Sequence, residues 1–353
     1  MNILRRLTLA AGIAGIAAIG LFVWLSQAGD LKQTVKNPQE LLGKMKSVLS
    51  GKSSEDELDP ALLAEKIREG NSLIRQSRLL LLHNMGPISA EVLQIIQTPT
   101  QSFRATGKYW QAPQSKSRLL VEMEIEKASG RILQVSNGQV IWSVREITSE
   151  ADQAVRAEKS KSEKSDNDKY DTEKPQNRLQ IERVDLQRLS DFAKATGVDE
   201  TGSQFAREMH SGLPGLLSSL EARMDFRAVK QVSINQQSCI VLEGEWKADI
   251  PENQLEDGFA VKVFQQSRPD LVRLFIRESD LFPMRYLCLK QHPDRSGYYA
   301  QLAMELTEVT QLPNLDPSMF NYRPPDEQVP NDITHEYLSR IATYGKAPDA
   351  VVK

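Results

Sequence analysis

The sequence predicts an α+β domain, a large curved antiparallel sheet covered by helices and preceded by a membrane-spanning helix. Three observations predict it. Residues 118–147 alternate apolar and polar side chains around an Asn137-Gly138 turn; apolar residues recur at helical spacing in two separate places; and an uncharged apolar run near the start follows a pair of arginines. With 353 residues, 40% of them hydrophobic and 26% charged, the chain is long enough to bury a sizeable core. A net charge of −3 gives no clustered basic face of the kind nucleic acid requires.

Arg5 and Arg6 precede the apolar run 7–25, which is long enough to span a bilayer. Residues 1–29 are therefore expected to be a signal anchor, with the N-terminus cytoplasmic and the domain on the periplasmic side. Ser26-Gln-Ala28 also fits a small-x-small cleavage site, and the alternative is a cleaved signal with secretion to the periplasm. Residues 30–58 are polar and lysine-rich, a spacer between membrane and domain.

The domain is expected over 59–345. Asp59-Pro60 opens a helix as cap and first-turn proline, and Asn84-Met-Gly86-Pro87 stops it. A second short helix is expected over 89–96, with Ser89 as its cap. From Gln101 the period becomes two, with Phe103, Ala105, Gly107 and Tyr109 on one parity. Leu119, Val121, Met123 and Ile125 then alternate with Glu122, Glu124 and Glu126, a strand with one wet face. Asn137-Gly138 between apolar runs predicts a type I′ hairpin, which needs positive φ at both central residues.

Residues 150–176 are crowded with Lys, Glu, Ser and Asp, too polar to offset the entropy of ordering, and are expected to be a disordered surface insertion. Residues 184–195 carry Leu186, Leu189 and Phe192 at helical spacing. Gly212-Leu-Pro-Gly215 leads into a second helix with Leu216, Leu217, Leu220 and Met224; it lacks the lysine and strand that make a phosphate loop specific. Strands follow at 226–234 and 238–247 around Asn235-Gln-Gln237, then at 259–264, 271–277, 283–291 and 299–309, with the short connections of an antiparallel meander. Asp332 caps a last helix with Tyr337, Leu338 and Ile341, and 346–353 form a tail.

Chemistry is sparsely encoded. His83, His210, His292 and His335 sit in no H-x-x-x-H or Cys-x-x-Cys spacing, so no metal site is expected. No nucleophile elbow occurs, and Glu122, Glu124 and Glu126 read as a solvated face rather than an acid/base cluster. The two cysteines, Cys239 and Cys288, lie in strand-like runs; they are either small buried side chains or a disulfide in an oxidising compartment. No catalytic residue and no cofactor is expected.

Several phrases in order resemble the LolA/LolB/RseB-type fold of bacterial envelope proteins. They are Gly107-Lys-Tyr109-Trp-Gln111, Arg118-Leu-Leu-Val-Glu122 and Ser136-Asn-Gly138-Gln-Val-Ile-Trp142, then Arg268-Pro-Asp-Leu-Val-Arg273, Leu281-Phe-Pro283-Met-Arg285 and Met319-Phe320-Asn-Tyr322-Arg-Pro-Pro325. The sequence departs from that pattern in carrying Asn137 where the hairpin usually has Asp, in the charged insertion and in the anchor. The resemblance implies an unclosed half-barrel whose concave face takes a lipid, a lipoprotein acyl chain or another apolar ligand without catalysis. Leu119, Val121, Met123, Ile125, Trp142, Leu242, Trp246 and Leu274 are the candidates to line it. The alternative it implies is an RseB-like sensor or interaction module that reads an envelope protein partner.

Overall fold

The computed structural model describes residues 59–97, 102–125, 128–149, 178–196, 212–247, 268–292 and 296–344. The predicted anchor, the spacer, the charged insertion and the predicted strand at 259–264 lie outside them. No helix among the described residues is long and apolar enough to cross a membrane.

Helix α1 (Pro60–Leu79) opens as expected: the Asp59 carboxylate accepts from the Ala61 N–H at 3.0 Å and Pro60 occupies the first turn. Its last turns widen into a π-helical segment, Leu80–Asn84. Strands β1 (Ile88–Gln97), β2 (Ser102–Ala112), β3 (Lys116–Ile125), β4 (Ala128–Asn137), β5 (Val140–Ser149) and β6 (Arg178–Asp185) follow as a meander. Helix α2 (Leu186–Ala195) and helix α3 (Gly212–Arg223) come next. The chain then returns as β7 (Met224–Ile234), β8 (Gln237–Trp246), β9 (Leu271–Arg277), β10 (Pro283–Gln291) and β11 (Tyr298–Gln311). A 3-10 turn (Pro317–Phe320), the two-residue β12 (Asn331–Asp332) and α4 (Thr334–Tyr344) close the chain.

All twelve strands of the described residues form one sheet in the order β12-β6-β5-β4-β3-β2-β1-β11-β10-β9-β8-β7. Every pairing is antiparallel except β12 on β6. The two meanders meet where β1 pairs with β11, so the chain's halves are joined edge to edge. The inner face is covered by α1 and α3. Where α1 crosses β7, Gly70 is required, because a Cβ there would run into the Phe226 carbonyl.

Two expectations are corrected and one alternative is decided. Residues 89–96 are not a helix but most of β1, a central strand. Ile88, Ala90, Val92, Gln94 and Ile96 point inward on alternate positions, a period of two that the Ser89 cap signal masked. The Asn137-Gly138 turn is not type I′: in the tetrad 136–139 only Gly138 has positive φ (88°), and the Asn137 carboxamide accepts from the Gln139 and Val140 N–H groups, both at 2.9 Å. Two-residue left-handed turns appear instead at Gln114 and Ser115, with φ of 66° and 57°, and at Asn235 and Gln236, with φ of 49° and 65°, the type I′ signature. Cys239 and Cys288 are free and buried. Cys239 pairs across from Arg277 and Cys288 across from Val272, at opposite ends of β9. Five residue steps along the strand separate them by roughly 16 Å, far beyond the reach of a disulfide.

Candidate functional site

The register assembles most of the sequence's candidates on one face. A single row crosses seven strands: Leu242, Leu274, Tyr286, Met304, Gln94, Ala105 and Met123 are successive cross-strand partners from β8 to β3. Val121 lies two residues along from Met123 on the same face, and Leu119 packs against the same cluster. Leu242 and Leu274 are completely buried, and Val121 and Met123 nearly so. Trp246, half-buried, sits at the rim of this surface; its Nε1 donates to the Pro269 carbonyl at 2.8 Å and the Arg268 guanidinium stacks 4.2 Å from its ring. Ile125 ends β3, and its side chain lies outside the described residues. Trp142 is the exception. It pairs with Val135 and joins Leu120, Leu133 and Val144 on the opposite, outer face.

The covering side is supplied by Ile74 of α1 and by Leu213, Leu216, Leu217 and Leu220 of α3. Helix α3 is buried from Gly212 to Leu220, polar serines included. One buried polar chain fastens both helical segments to β2. The Leu213 N–H donates to the Tyr109 hydroxyl at 3.0 Å, that hydroxyl donates to Gln111 Oε1 at 2.7 Å, and Gln111 Nε2 donates to the Leu81 carbonyl at 2.7 Å. Gly212 takes φ 66° here, and a Cβ would strike the Tyr109 hydroxyl. Burial pushes the Tyr109 hydroxyl well above its ordinary pKa, against the smaller opposing pull of the Leu213 N–H, so it stays a neutral donor and acceptor.

Over β4–β6 the inner face changes character. Gln134, Ser136, Arg145 and Glu182 are all nearly fully buried there. Arg145 Nη2 lies 3.4 Å from Glu182 Oε2, and Gln180 donates to the other carboxylate oxygen at 2.8 Å. The sequence reading missed this polar patch and the Tyr109–Gln111 chain. The signal was present: Gln111, Ser117 and Gln134 occupy positions of core parity.

Neither thiol is poised for chemistry. Burial pushes Cys288 up to about 12, a shift only partly offset by its 2.9 Å bond to the Tyr286 hydroxyl, and burial raises Cys239 as well. Both are held as neutral thiols, not as nucleophilic thiolates. Glu122 and Glu124 are exposed on the outer face, each beside a different strand neighbour, with Arg131 3.8 Å from Glu122.

No protein-family model matches the chain, and no curated protein matches it. Among solved structures it is similar to a putative outer membrane lipoprotein-sorting protein domain from Vibrio parahaemolyticus, at 12% identity over 72% of this chain and 97% of that one, with a TM-score of 0.28. A LolA superfamily protein from Nitrosomonas europaea is 9% identical over 72% and 97%, with a TM-score of 0.27. The Pseudomonas aeruginosa MucA/MucB complex gives 7% identity over 71% and 60%, with a TM-score of 0.32.

Proposed function

We propose that the protein is a non-enzymatic binding protein of the cell envelope that holds a lipid, a lipoprotein acyl chain or a similar apolar ligand between the inner face of its sheet and helices α1 and α3. One observation carries this reading. The inner face presents a continuous, mainly apolar row across seven strands of an open sheet, and two helices cover it, fastened to β2 through one short polar chain. A ligand enters as those helices lift, and its methylenes replace the contacts of Leu216, Leu217 and Leu220. Each buried methylene contributes about 0.8 kcal/mol, so a chain of ten supplies about 8 kcal/mol before ordering costs. The arginine pair and apolar run 5–25 support the envelope location.

A second reading, a protein-interaction module, is favoured by β7, which among the described residues forms one edge of the sheet and pairs on its other side with β8. Edge strands accept an added strand from a partner.

The test is native mass spectrometry of the full chain purified from a bacterial envelope, with extraction of whatever co-purifies. A stoichiometric acyl-bearing species is the expected result. A bare protein mass that stays unchanged after incubation with phospholipid vesicles overturns the carrier reading and leaves the interaction module.

A further inference from the structure

The outer face of the sheet, on the side away from α1 and α3, holds a half-open cavity of about 430 Å³. Its floor is apolar: Leu133 of β4, Val144 of β5 and Leu179 of β6. Its cover is the C-terminal strap, through Tyr322 and residues 325–328. The strap is pinned on both sides of the cavity. On one side Arg118 Nη1 donates to the Met319 carbonyl at 2.9 Å, Phe320 is buried, and the Tyr322 ring packs 5.6 Å from Trp142. On the other, Asn331 and Asp332 pair with β6, and Arg183 bridges to Asp332 at 3.0 Å. Between these pins residues 321–330 form neither helix nor strand and arch over the floor.

The charges at the cavity are unequal. Among the described residues Arg131 is the single cation lining it, and it already lies 3.8 Å from Glu122 and 3.9 Å from Glu146. The strap adds two exposed carboxylates, Asp326 and Glu327; among the described residues Asp326 pairs with the outlying Arg323, 3.7 Å away with both side chains about nine-tenths exposed. The volume falls within the range of small-molecule sites, about 300–1,000 Å³, and such sites combine an apolar body with a few placed polar groups.

We propose that this cavity is a second binding site, separate from the inner face, for a small amphipathic cation: an apolar body on Leu133, Val144 and Leu179, beneath the Tyr322 ring, with an amine directed at Asp326 and Glu327. An anion of the same shape meets three lining carboxylates, Glu146, Asp326 and Glu327, against one lining arginine and is rejected. Charge complementarity therefore sets the choice of ligand while the apolar floor supplies the contact area.

The test uses the full chain and two matched probes, 4-phenylbutylamine and 4-phenylbutyrate, titrated by calorimetry. The amine is expected to bind one to one and the acid not to bind. Asp326 and Glu327 are exposed, so D326N/E327Q keeps the fold and is expected to weaken the amine about tenfold, the scale of two exposed charge contacts. Leu179→Trp, which fills the cavity from its floor, is expected to abolish binding. No binding of the amine to the wild-type chain, equal binding of both probes, or an unchanged affinity in D326N/E327Q overturns the proposal.

Discussion

Over β7–β11 and β1–β3 the inner face carries Leu242, Leu274, Met304, Val121 and Met123, whereas over β4–β6 the same face carries Gln134, Ser136, Arg145 and Glu182. Both halves are buried, but they are satisfied differently. The apolar half needs only shape, and helices α1 and α3 supply it. The polar half needs partners, and the Arg145–Glu182–Gln180 cluster makes most of them within the sheet itself, leaving the buried Arg145 Nε without one. The difference bears on the proposed ligand. An acyl chain can take the place of α3 leucines with apolar contacts, but laid over the buried Arg145 and Glu182 it would offer those charges no hydrogen-bonding partner. The chain of an amphipathic ligand is thereby confined to the apolar half, and the polar half marks the end where a headgroup belongs.

The comparison breaks most severely in the apolar half. Phe226 is completely buried, with its ring packed where Gly244 leaves no side chain. Phe226→Ala is expected to lower stability by about 3–5 kcal/mol, measured by urea unfolding, because the site between α1 and β8 has little means of collapsing. A loss under about 1 kcal/mol would mean that α1 packs loosely on the sheet.

In the polar half the sign depends on how much of the cluster is removed. Glu182→Leu alone leaves Arg145 buried and uncompensated, and should cost about 3 kcal/mol. The double change R145M/E182L replaces both charges with apolar volume and is expected to restore most of that loss. If the double variant is as unstable as the single one, the cluster is held by more than its own ion pair.

The polar chain that joins the halves is the next test. Tyr109→Phe leaves the Leu213 N–H and Gln111 Oε1 without their shared hydroxyl, an effect of about 1–3 kcal/mol. Amide exchange in α3 should quicken in this variant, and lipid uptake with it if the helices are the cover of the site. Faster exchange with unaltered uptake would place ligand entry elsewhere.

Much of this architecture was legible because strands announce themselves by parity. Leu119, Val121 and Met123 against Glu122 and Glu124 gave the wet and dry faces of β3 directly, and Asp59-Pro60 gave the start of α1 to the residue. Parity is local, however, and cannot say which strand lies beside which. Trp142 was grouped with Trp246 as a lining residue, yet one faces the strap and the other the helices, because β5 and β8 present those parities to opposite sides. Likewise β6 is hard to recognise from parity: on its inner face the polar Gln180 and Glu182 precede the apolar Val184, so no apolar stripe runs its length. The outer cavity depends on residues 322–328 returning over β4–β6, a contact with no local signal at all.

The smallest expected effect concerns the strap's second pin. Burial alone would raise the Asp332 carboxyl, but hydrogen bonds from Thr334 and the charges of Arg183 and Arg188 outweigh it and bring the group below the usual carboxylate range. A depressed folded value means that its contribution is complete above the unfolded pKa, about 4, and is lost as pH falls through the folded value. The side chain is substantially exposed, so the contribution should be below about 1 kcal/mol. Asp332→Asn keeps an acceptor for the Thr334 N–H and removes only the charge. Its stability should lie slightly under that of the wild-type chain at pH 7, and the two should converge below pH 4. A gap that persists at pH 3 would show that the carboxylate charge is not what holds the strap to β6, and that the parallel pairing of Asn331 and Asp332 suffices.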